Sequence, residues 1–225
     1  MSLNGAIDPP SRRSAARLGI FGGTFDPPHV GHLILAAEAY EQLRLDRLLW
    51  VLTPAPPHKH DQPLTPWQHR LEMVEAAIAD RPEYELSRVD IDRPPPHYAL
   101  DSVNLLRQQN PACELIYIIG GDSLRDLPTW HRPLELIAAC DALGVMRRPG
   151  DKIHLETLER QLPGLTAKVR FIEAPLLDIA SSEIRSRVVQ QRPFRDYLPA
   201  AVYQIIQKRG LYRQPAGCSA APGES

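Results

Sequence analysis

The sequence predicts an α/β fold in which a parallel β-sheet is covered by helices on both faces. Two observations carry this prediction. Short apolar runs alternate with longer helix-like segments along most of the chain, and the runs are apolar almost throughout. Such runs are typical of strands buried on both faces, and parallel strands need a long crossover, usually a helix, between them.

The alternation can be followed from one element to the next. The predicted strands are residues 17–21, 47–53, 84–91, 114–120, 142–148 and 168–174. The predicted helices are residues 32–43, 65–79, 98–109, 132–140, 154–162, a segment beginning near Ser181, and 199–209. In the first helix, Leu33, Ala36 and Tyr40 fall at helical spacing and give one apolar face. Together these elements predict a single Rossmann-like domain.

Particular residues mark the expected helix ends. Thr65 is followed by Pro66, which predicts Thr65 as the N-cap and the proline as the first helical residue. Ser181 or Ser182 is expected to cap a later helix through its hydroxyl group. Gly210 is expected to end the last helix, since glycine readily takes the left-handed conformation found there.

The two ends of the chain differ in composition from the rest. Residues 1–16 and 214–225 are rich in small, polar and proline residues. We interpret them as a flexible leader and a flexible tail, because such segments cannot bury enough apolar surface to order themselves. Residues 17–213 then form the domain.

Composition excludes several classes of function. The 225 residues are 43% hydrophobic and 24% charged, with a formal net charge of −1, so no overall field draws the chain to nucleic acid. The sequence has no run of the ~18 apolar residues needed to cross a membrane, and we expect no membrane partner. Three widely spaced cysteines, Cys113, Cys140 and Cys218, favour a cytoplasmic location over a disulfide framework. A homo-oligomer is left open.

The stretch GGTFDPPHVGH, residues 22–32, follows the first predicted strand and leads into a helix. Glycines let the backbone approach a ligand, and a helix N-terminus offers unpaired N–H groups to phosphate. The stretch matches neither the dinucleotide fingerprint nor the P-loop. His29 and His32, three residues apart, are therefore expected to supply hydrogen-bond donors to phosphate from their side chains.

Simpler interpretations of these residues stay open at this point. Two glycines after a strand are often only a turn, and a histidine near a helix start is often a cap or a surface residue. Asp26 with His29 and His32 could also ligate a metal, although no further histidine or cysteine lies nearby at a recognisable spacing. Similarly, Ser181 or Ser182 together with Arg185 is either a second phosphate site or a plain cap with a surface arginine.

Several motifs together carry a resemblance to a known family. They are GGTFDPPHVGH, TPAPPHK at 53–59, GGDSLRDLPTWH at 120–131 and DIASSEIRSR at 178–187. The first resembles the signature of the HxGH nucleotidyltransferase superfamily, and the set is similar to that of the bacterial nicotinate-nucleotide adenylyltransferases. The resemblance implies transfer of AMP from ATP to nicotinate mononucleotide, which releases pyrophosphate and forms deamido-NAD. It also implies Mg²⁺ accompanying ATP, and no metal site formed by the protein.

The resemblance further implies roles for individual residues. Those expected to bind ATP are Gly22, Gly23, Thr24, Phe25, His29, His32, Gly120, Asp122, Ser181, Ser182 and Arg185. Those expected to bind the mononucleotide are Gly23, Lys59, Tyr98, Trp130 and Arg147, with Trp130 stacking on the pyridine ring. The expected catalytic residues are His29, His32, Lys59 and Arg185. Positioning and charge stabilisation suffice for this chemistry, because the attacking phosphate is already anionic.

The chain departs from the family pattern at several positions. The family usually has Ile-Ser-x-Thr-x-Ile-Arg where this chain has Ala180 and Ser182 in place of the serine and the threonine. The family's Ser-Tyr-Thr is His97, Tyr98, Ala99 here, and His131 stands where a tyrosine often follows the tryptophan. Alternatives are therefore an adenylyltransferase acting on nicotinamide mononucleotide or another phosphorylated acceptor, and a nucleotide-binding regulator without turnover.

Overall fold

The computed structural model describes residues 15–56, 64–147, 153–175 and 179–213. The strands in these residues are β1 Arg17–Gly23, β2 Arg47–Leu52, β3 Tyr84–Ser87, β4 Glu114–Gly120, β5 Ala142–Arg147 and β6 Val169–Glu173. The helices are α1 Val30–Gln42, α2 Trp67–Ile78, α3 Ala99–Gln109, α4 Gly121–Asp126, α5 Pro133–Ala139, α6 Leu155–Gln161, α7 Leu165–Lys168, α8 Ser181–Val189 and α9 Ala200–Arg209.

The strands form one sheet in the order β3-β2-β1-β4-β5-β6, with every neighbouring pair parallel. The chain moves outward from β1 through β2 to β3, and then returns to place β4 on the other side of β1. This reversal of direction is a topological switch point, beside which ligands bind at the carboxyl ends of the strands in open α/β sheets. The predicted parallel sheet is confirmed.

Two apolar clusters, one on each face of the sheet, hold the helices in place. Alternate residues of β1 divide between them, because Phe21 packs in one cluster and Leu18 and Ile20 in the other. The first cluster contains residues of α1, α2, α8 and α9, and the second contains residues of α3, α5 and α6. Helices on both faces are therefore confirmed.

Two local predictions, for β3 and for the start of α2, were wrong. The strand predicted over residues 84–91 ends at Ser87, because the chain turns and the N–H of Asp92 donates to the carbonyl of Arg88 over 2.9 Å. Thr65 does not cap α2, whose N-cap is Pro66. The backbone N–H of Thr65 instead donates to the carboxylate of Asp26 over 3.1 Å, a long-range contact that local sequence does not reveal.

The remaining predictions of element ends hold to within about two residues. Gly210 closes α9 in the left-handed conformation, with φ of 61°. Almost all of the predicted leader and the whole predicted tail lie outside the described residues, so both stay predictions. In the part of the chain that the structure describes, no helix is long and apolar enough to span a membrane.

Candidate active site

A cavity of about 630 Å³ opens at the carboxyl ends of β1, β2 and β4, beside the switch point. The end of β1 contributes Gly22 and Gly23 to its lining, the loop after β1 contributes Thr24, and the loop after β2 contributes Thr53. The start of α3 and the segment after α4 close its far side. The predicted ligand site therefore has the place in the fold that the sequence indicated.

The loop after β1 adopts a strained conformation. Phe25 has φ of 48°, in the left-handed region, which costs a non-glycine residue about 1–2 kcal/mol. Its ring packs against Phe21 and Trp50, with ring centroids 5.7 and 5.1 Å away. A Cβ atom at Gly23 would lie only 2.7 Å from that ring, so glycine is required there for Phe25 to fold back over the strand end.

Polar groups from four distant segments secure this loop. Arg70 of α2 donates to the carbonyl of Thr24 over 2.8 Å. Arg185 of α8 donates to the carbonyl of Asp26 over 2.7 Å. The carboxylate of Asp26, only 2% exposed, accepts from the backbone of Thr65 and from the hydroxyl of Tyr212, the latter over 2.8 Å. These bonds offset the strain at Phe25 and fix the loop that leads to the histidines.

His29 and His32 form a stacked pair at the start of α1. Their ring centroids are 3.7 Å apart, and the backbone N–H of His29 donates to Nδ1 of His32 over 3.2 Å. Since Nδ1 of His32 accepts this bond, the neutral ring carries its proton on Nε2. A Cβ at Gly31 would lie 3.0 Å from Nδ1 of His29, so a side chain there would press on the pair.

Burial keeps His29 uncharged. The side chain is 5% exposed, and burial lowers its pKa from the ordinary value of 6.5 to about 4. At neutral pH the imidazole of His29 is therefore a neutral hydrogen-bonding group.

The start of α8 lies against the same segment but is not capped by serine. The N-cap is Ala180, so the prediction that Ser181 or Ser182 caps this helix was wrong. The hydroxyl of Ser181 donates instead to the carbonyl of Pro27 over 2.8 Å. Ser182 is exposed in the first turn. His29, His32, Ser181 and Arg185 thus gather around residues 26–32, next to the cavity rather than in its lining, with His29 buried.

The far side of the cavity is aromatic and polar. Trp130 lines it and packs edge-to-face on Tyr117, with ring centroids 6.4 Å apart. Tyr98, the N-cap of α3, stacks on His131 with ring centroids 4.0 Å apart. The structure therefore brings Trp130 and Tyr98 together as expected, although stacking with His131 was not foreseen.

A buried carboxylate lies beneath this aromatic side. Asp90, 2% exposed, accepts from the hydroxyls of Ser102 and Thr53 over 2.6 and 3.2 Å, and from Arg93 over 3.0 Å. His97 lies nearby, and burial lowers the pKa of its imidazole. Sequence reasoning missed this network, because an aspartate in an expected strand gives no sign that it is buried.

Two predicted binding residues do not take the expected positions. A third, Lys59, lies outside the described residues, so its role stays a prediction. Arg147 is exposed at the end of β5, where it pairs with Glu173, stacks over Phe171 and borders a separate cavity of about 460 Å³. Asp122 is exposed in the first turn of α4 and pairs with Arg125, so it does not line the main cavity.

Gly120 does line the main cavity at the end of β4, as predicted. Within the residues that the structure describes, no group of three His, Cys, Asp or Glu side chains could hold a metal ion. The carboxylate of Asp26 is engaged by Thr65 and Tyr212, which does not support the alternative in which it joins the two histidines as a metal ligand.

Arg70 and Tyr212 were also missed. Arg70 left one local signal in the sequence, because it falls on the same helical face as Val74 and Ala77, where a charged residue is out of place. Tyr212 left none, since its partner lies 186 residues away.

Such a site defines a nucleotide-binding α/β protein, and residues 20–187 match the family model described as Cytidylyltransferase-like. A Thermomicrobium roseum protein named "Probable nicotinate-nucleotide adenylyltransferase" is 46% identical over 88% of this chain and 92% of its own length. The Bacillus subtilis nicotinate-nucleotide adenylyltransferase is 37% identical over 87% of this chain and 98% of its own. The chain belongs to the nicotinate-nucleotide adenylyltransferase family of nucleotidyltransferases, and the resemblance found in its motifs is confirmed.

A solved structure supports the fold. Plasmodium falciparum nicotinic acid mononucleotide adenylyltransferase, complexed with NaAD, superposes with a TM-score of 0.72 at 21% identity. The match covers 88% of this chain and 97% of that one. At this identity the likeness bears on the architecture alone, and it agrees with a single Rossmann-like domain.

Proposed function

We propose that this chain transfers the AMP group of ATP to nicotinate mononucleotide, giving deamido-NAD and pyrophosphate. The observation that carries the proposal is the arrangement around the loop after β1. The cavity with Trp130 and Tyr98 lies beside it, and His29 and His32 follow it at the start of α1. Two nucleotides placed on either side of Gly22–Thr24 would meet at this loop.

The reaction needs little general acid–base catalysis. The phosphate of the mononucleotide is already anionic and attacks the α-phosphorus of ATP, while the bond to the leaving pyrophosphate breaks. The protein has to hold two polyanions in line and to stabilise charge as it moves to the pyrophosphate. Groups of fixed orientation suit this task better than groups that must exchange protons.

On the ATP side, the neutral His32 offers Nε2–H as a donor to a phosphate oxygen. Its orientation is set by the backbone of His29 and by its stacking on the ring of that residue. Arg185 has one nitrogen bonded to the carbonyl of Asp26, and the rest of its guanidinium provides charge beside the same loop. Lys59, Gly120, Asp122, Ser181 and Ser182 belong to this proposal as further ATP or phosphate contacts.

On the acceptor side, Trp130 would stack on the pyridine ring. Its edge-to-face contact with Tyr117 holds the ring at the cavity wall. Arg147 would contact the mononucleotide only if the ligand reached beyond the cavity. Arg147 lies outside the lining of that cavity, and its guanidinium pairs with Glu173.

Mg²⁺ enters this proposal with ATP. The described residues hold no cluster suited to a resident metal ion, and Mg²⁺ binds substrate phosphates and waters readily in such sites. Bound to the phosphates, it would reduce their charge. We propose further that the chain is cytoplasmic and that it binds small molecules only. The proposal leaves the oligomeric state open.

A paired assay tests it. Purified chain is supplied with ATP, Mg²⁺ and either nicotinate or nicotinamide mononucleotide, and pyrophosphate release is followed. We expect release with nicotinate mononucleotide at a clearly higher kcat/KM. A higher kcat/KM with nicotinamide mononucleotide would show that the amide, and not the carboxylate, is the acceptor. ATP binding without release from any pyridine mononucleotide would indicate a nucleotide-binding regulator instead.

A further inference from the structure

The guanidinium group of Arg70 is almost completely buried beneath the cleft. The residue is 1% exposed on the inner face of α2, between the sheet and the loops at its carboxyl edge. Burial lowers the pKa of Arg70, and the carboxylate of Asp26 acts in the opposite direction. Burying a guanidinium is costly unless its N–H groups are hydrogen-bonded.

All four of the hydrogen bonds found for this side chain go to backbone carbonyl groups. Nη1 donates to Thr24 over 2.8 Å and to Thr53 over 3.0 Å. Nη2 donates to Pro54 over 2.6 Å, and Nε donates to Thr65 over 2.8 Å. One rigid planar group therefore connects the loop after β1, the loop after β2 and the segment that enters α2.

The first two of these loops form the cleft. Thr24 and Thr53 both line the cavity, and the last ladder contact between the strands is the bond from the N–H of Thr53 to the carbonyl of Gly23, at 3.0 Å. Beyond that bond the sheet no longer sets the distance between the loops. Arg70 bonds to both of them at that point.

We infer that Arg70 is a positioning residue for adenylyl transfer, an inference that rests on the proposed function. It fixes the loop that leads to His29 and His32 against the loop that leads on to Lys59. Because it is 1% exposed and does not line the cavity, we do not expect it to contact either substrate. Its effect is on the alignment of groups that must act together in the transition state, where a displacement of about 1 Å can cost ~100-fold in rate.

A second arginine, Arg107, whose side chain is 32% exposed, provides a control. Arg107 also bonds to backbone carbonyl groups from α3, donating to Cys113 over 2.6 Å and to Ala139 over 3.4 Å, and it pairs with Asp141. Those residues precede β4 and β5, at the amino edge of the sheet, opposite the cleft. Arg107 therefore connects chain segments as Arg70 does, but away from the cleft.

The test compares Arg70→Lys with Arg107→Lys. Lysine keeps the charge but cannot span the carbonyl groups that a guanidinium fork reaches. For each variant, the Tm and the steady-state constants for both substrates are measured. We expect both variants to lose Tm. Arg70→Lys should also lower kcat about 10- to 100-fold while the KM for ATP changes less than about 3-fold, and Arg107→Lys should keep kcat within about 2-fold.

The outcomes separate the two proposals. A folded Arg70→Lys variant with wild-type kcat and a Tm loss like that of Arg107→Lys would leave Arg70 a structural role only, and would overturn the inference. If Arg70→Lys does not fold, Arg70→Gln carries the same test, because it removes the buried charge. A wild-type chain that forms no product contradicts the proposed function, and the inference with it.

Discussion

The backbone N–H of His29 donates to Nδ1 of His32, which leaves Nε2 as the donor of the neutral His32 ring. Stacking of the two rings at 3.7 Å fixes the plane in which that donor lies. Gly31 allows the arrangement, since a side chain there would press on His29. A pair of histidines thus becomes an oriented hydrogen-bond donor through a backbone contact.

Replacing His32 should abolish most of the activity without unfolding the chain. We expect His32→Ala to lower kcat by at least about 100-fold, the loss typical of one preorganised donor to developing charge. The ring is half-buried and accepts the backbone N–H of His29, so we expect the variant to lose about 0.5–2 kcal/mol of stability but to stay folded, which thermal unfolding would show. His154→Ala, which removes an exposed histidine at the start of α6, serves as the control. Near-normal turnover of His32→Ala would rule out its assigned role.

His29 should make the stability of the chain depend on pH. Its pKa is 6.5 when unfolded and about 4 when folded, so between these values the unfolded state binds more protons. The stabilisation that the neutral, buried His29 gives to the free energy of unfolding is therefore fully present above pH 6.5. It is lost progressively as the pH falls toward 4. The loss is on the order of 3 kcal/mol.

Urea unfolding at pH 7 and pH 4.5 measures this effect. Other groups titrate in the same range, so the comparison is between the wild type and His29→Asn, which has no titrating ring. We expect the difference in unfolding free energy between the two pH values to be smaller in the variant. Equal differences would mean that His29 is not buried as a neutral group.

Trp130→Ala should mainly raise the KM for the mononucleotide. The indole lines the cavity on the side away from the histidines, and loss of a stacked ring typically costs about 1–3 kcal/mol, or roughly 5- to 150-fold in affinity. Trp130→Phe keeps a ring and should retain most of the affinity. The steady-state constants for both substrates decide the matter, because a change confined to the KM for ATP would contradict the stacking assignment.

The hydroxyl of Tyr212 should stabilise the loop before the histidines. It donates to the buried carboxylate of Asp26 over 2.8 Å, and a hydrogen bond to a charged group contributes about 1.5–3 kcal/mol. We expect Tyr212→Phe to lower the unfolding free energy by about that amount in urea. Tyr203→Phe, on α9, is the control, since the ring of Tyr203 packs against Phe194. Equal losses from both changes would show that the Asp26 contact is not the cause.

The parallel sheet, and the order of its strands along the chain, could be predicted from sequence because each strand is recognisable from its own residues. Runs such as residues 114–120 are apolar for long enough to be buried whatever their neighbours are. The strand predicted over 84–91 was too long, because its alternating pattern continues past Ser87 into the turn in which the N–H of Asp92 donates to the carbonyl of Arg88. The glycines and histidines of 22–32 were recognisable because neither residue type has an obvious place in a core.

The rest of the site depends on contacts between distant residues. Nothing near Thr65 shows that its N–H is taken by Asp26, and nothing near Asp90 shows that Ser102 and Arg93 surround it. Arg70 alone left a local sign, as a charge on an apolar helical face. A pattern of this kind, a single buried-face arginine in the helix after β2, could be sought directly in a sequence.

The bond between Tyr212 and Asp26 also has a consequence during synthesis. Domains begin to fold from their N-terminal part while translation continues. The loop at Asp26 is made early, but one of its supports is added only when residue 212 has left the ribosome, 186 residues later. A nascent chain therefore carries His29 and His32 before this support of the preceding loop can form.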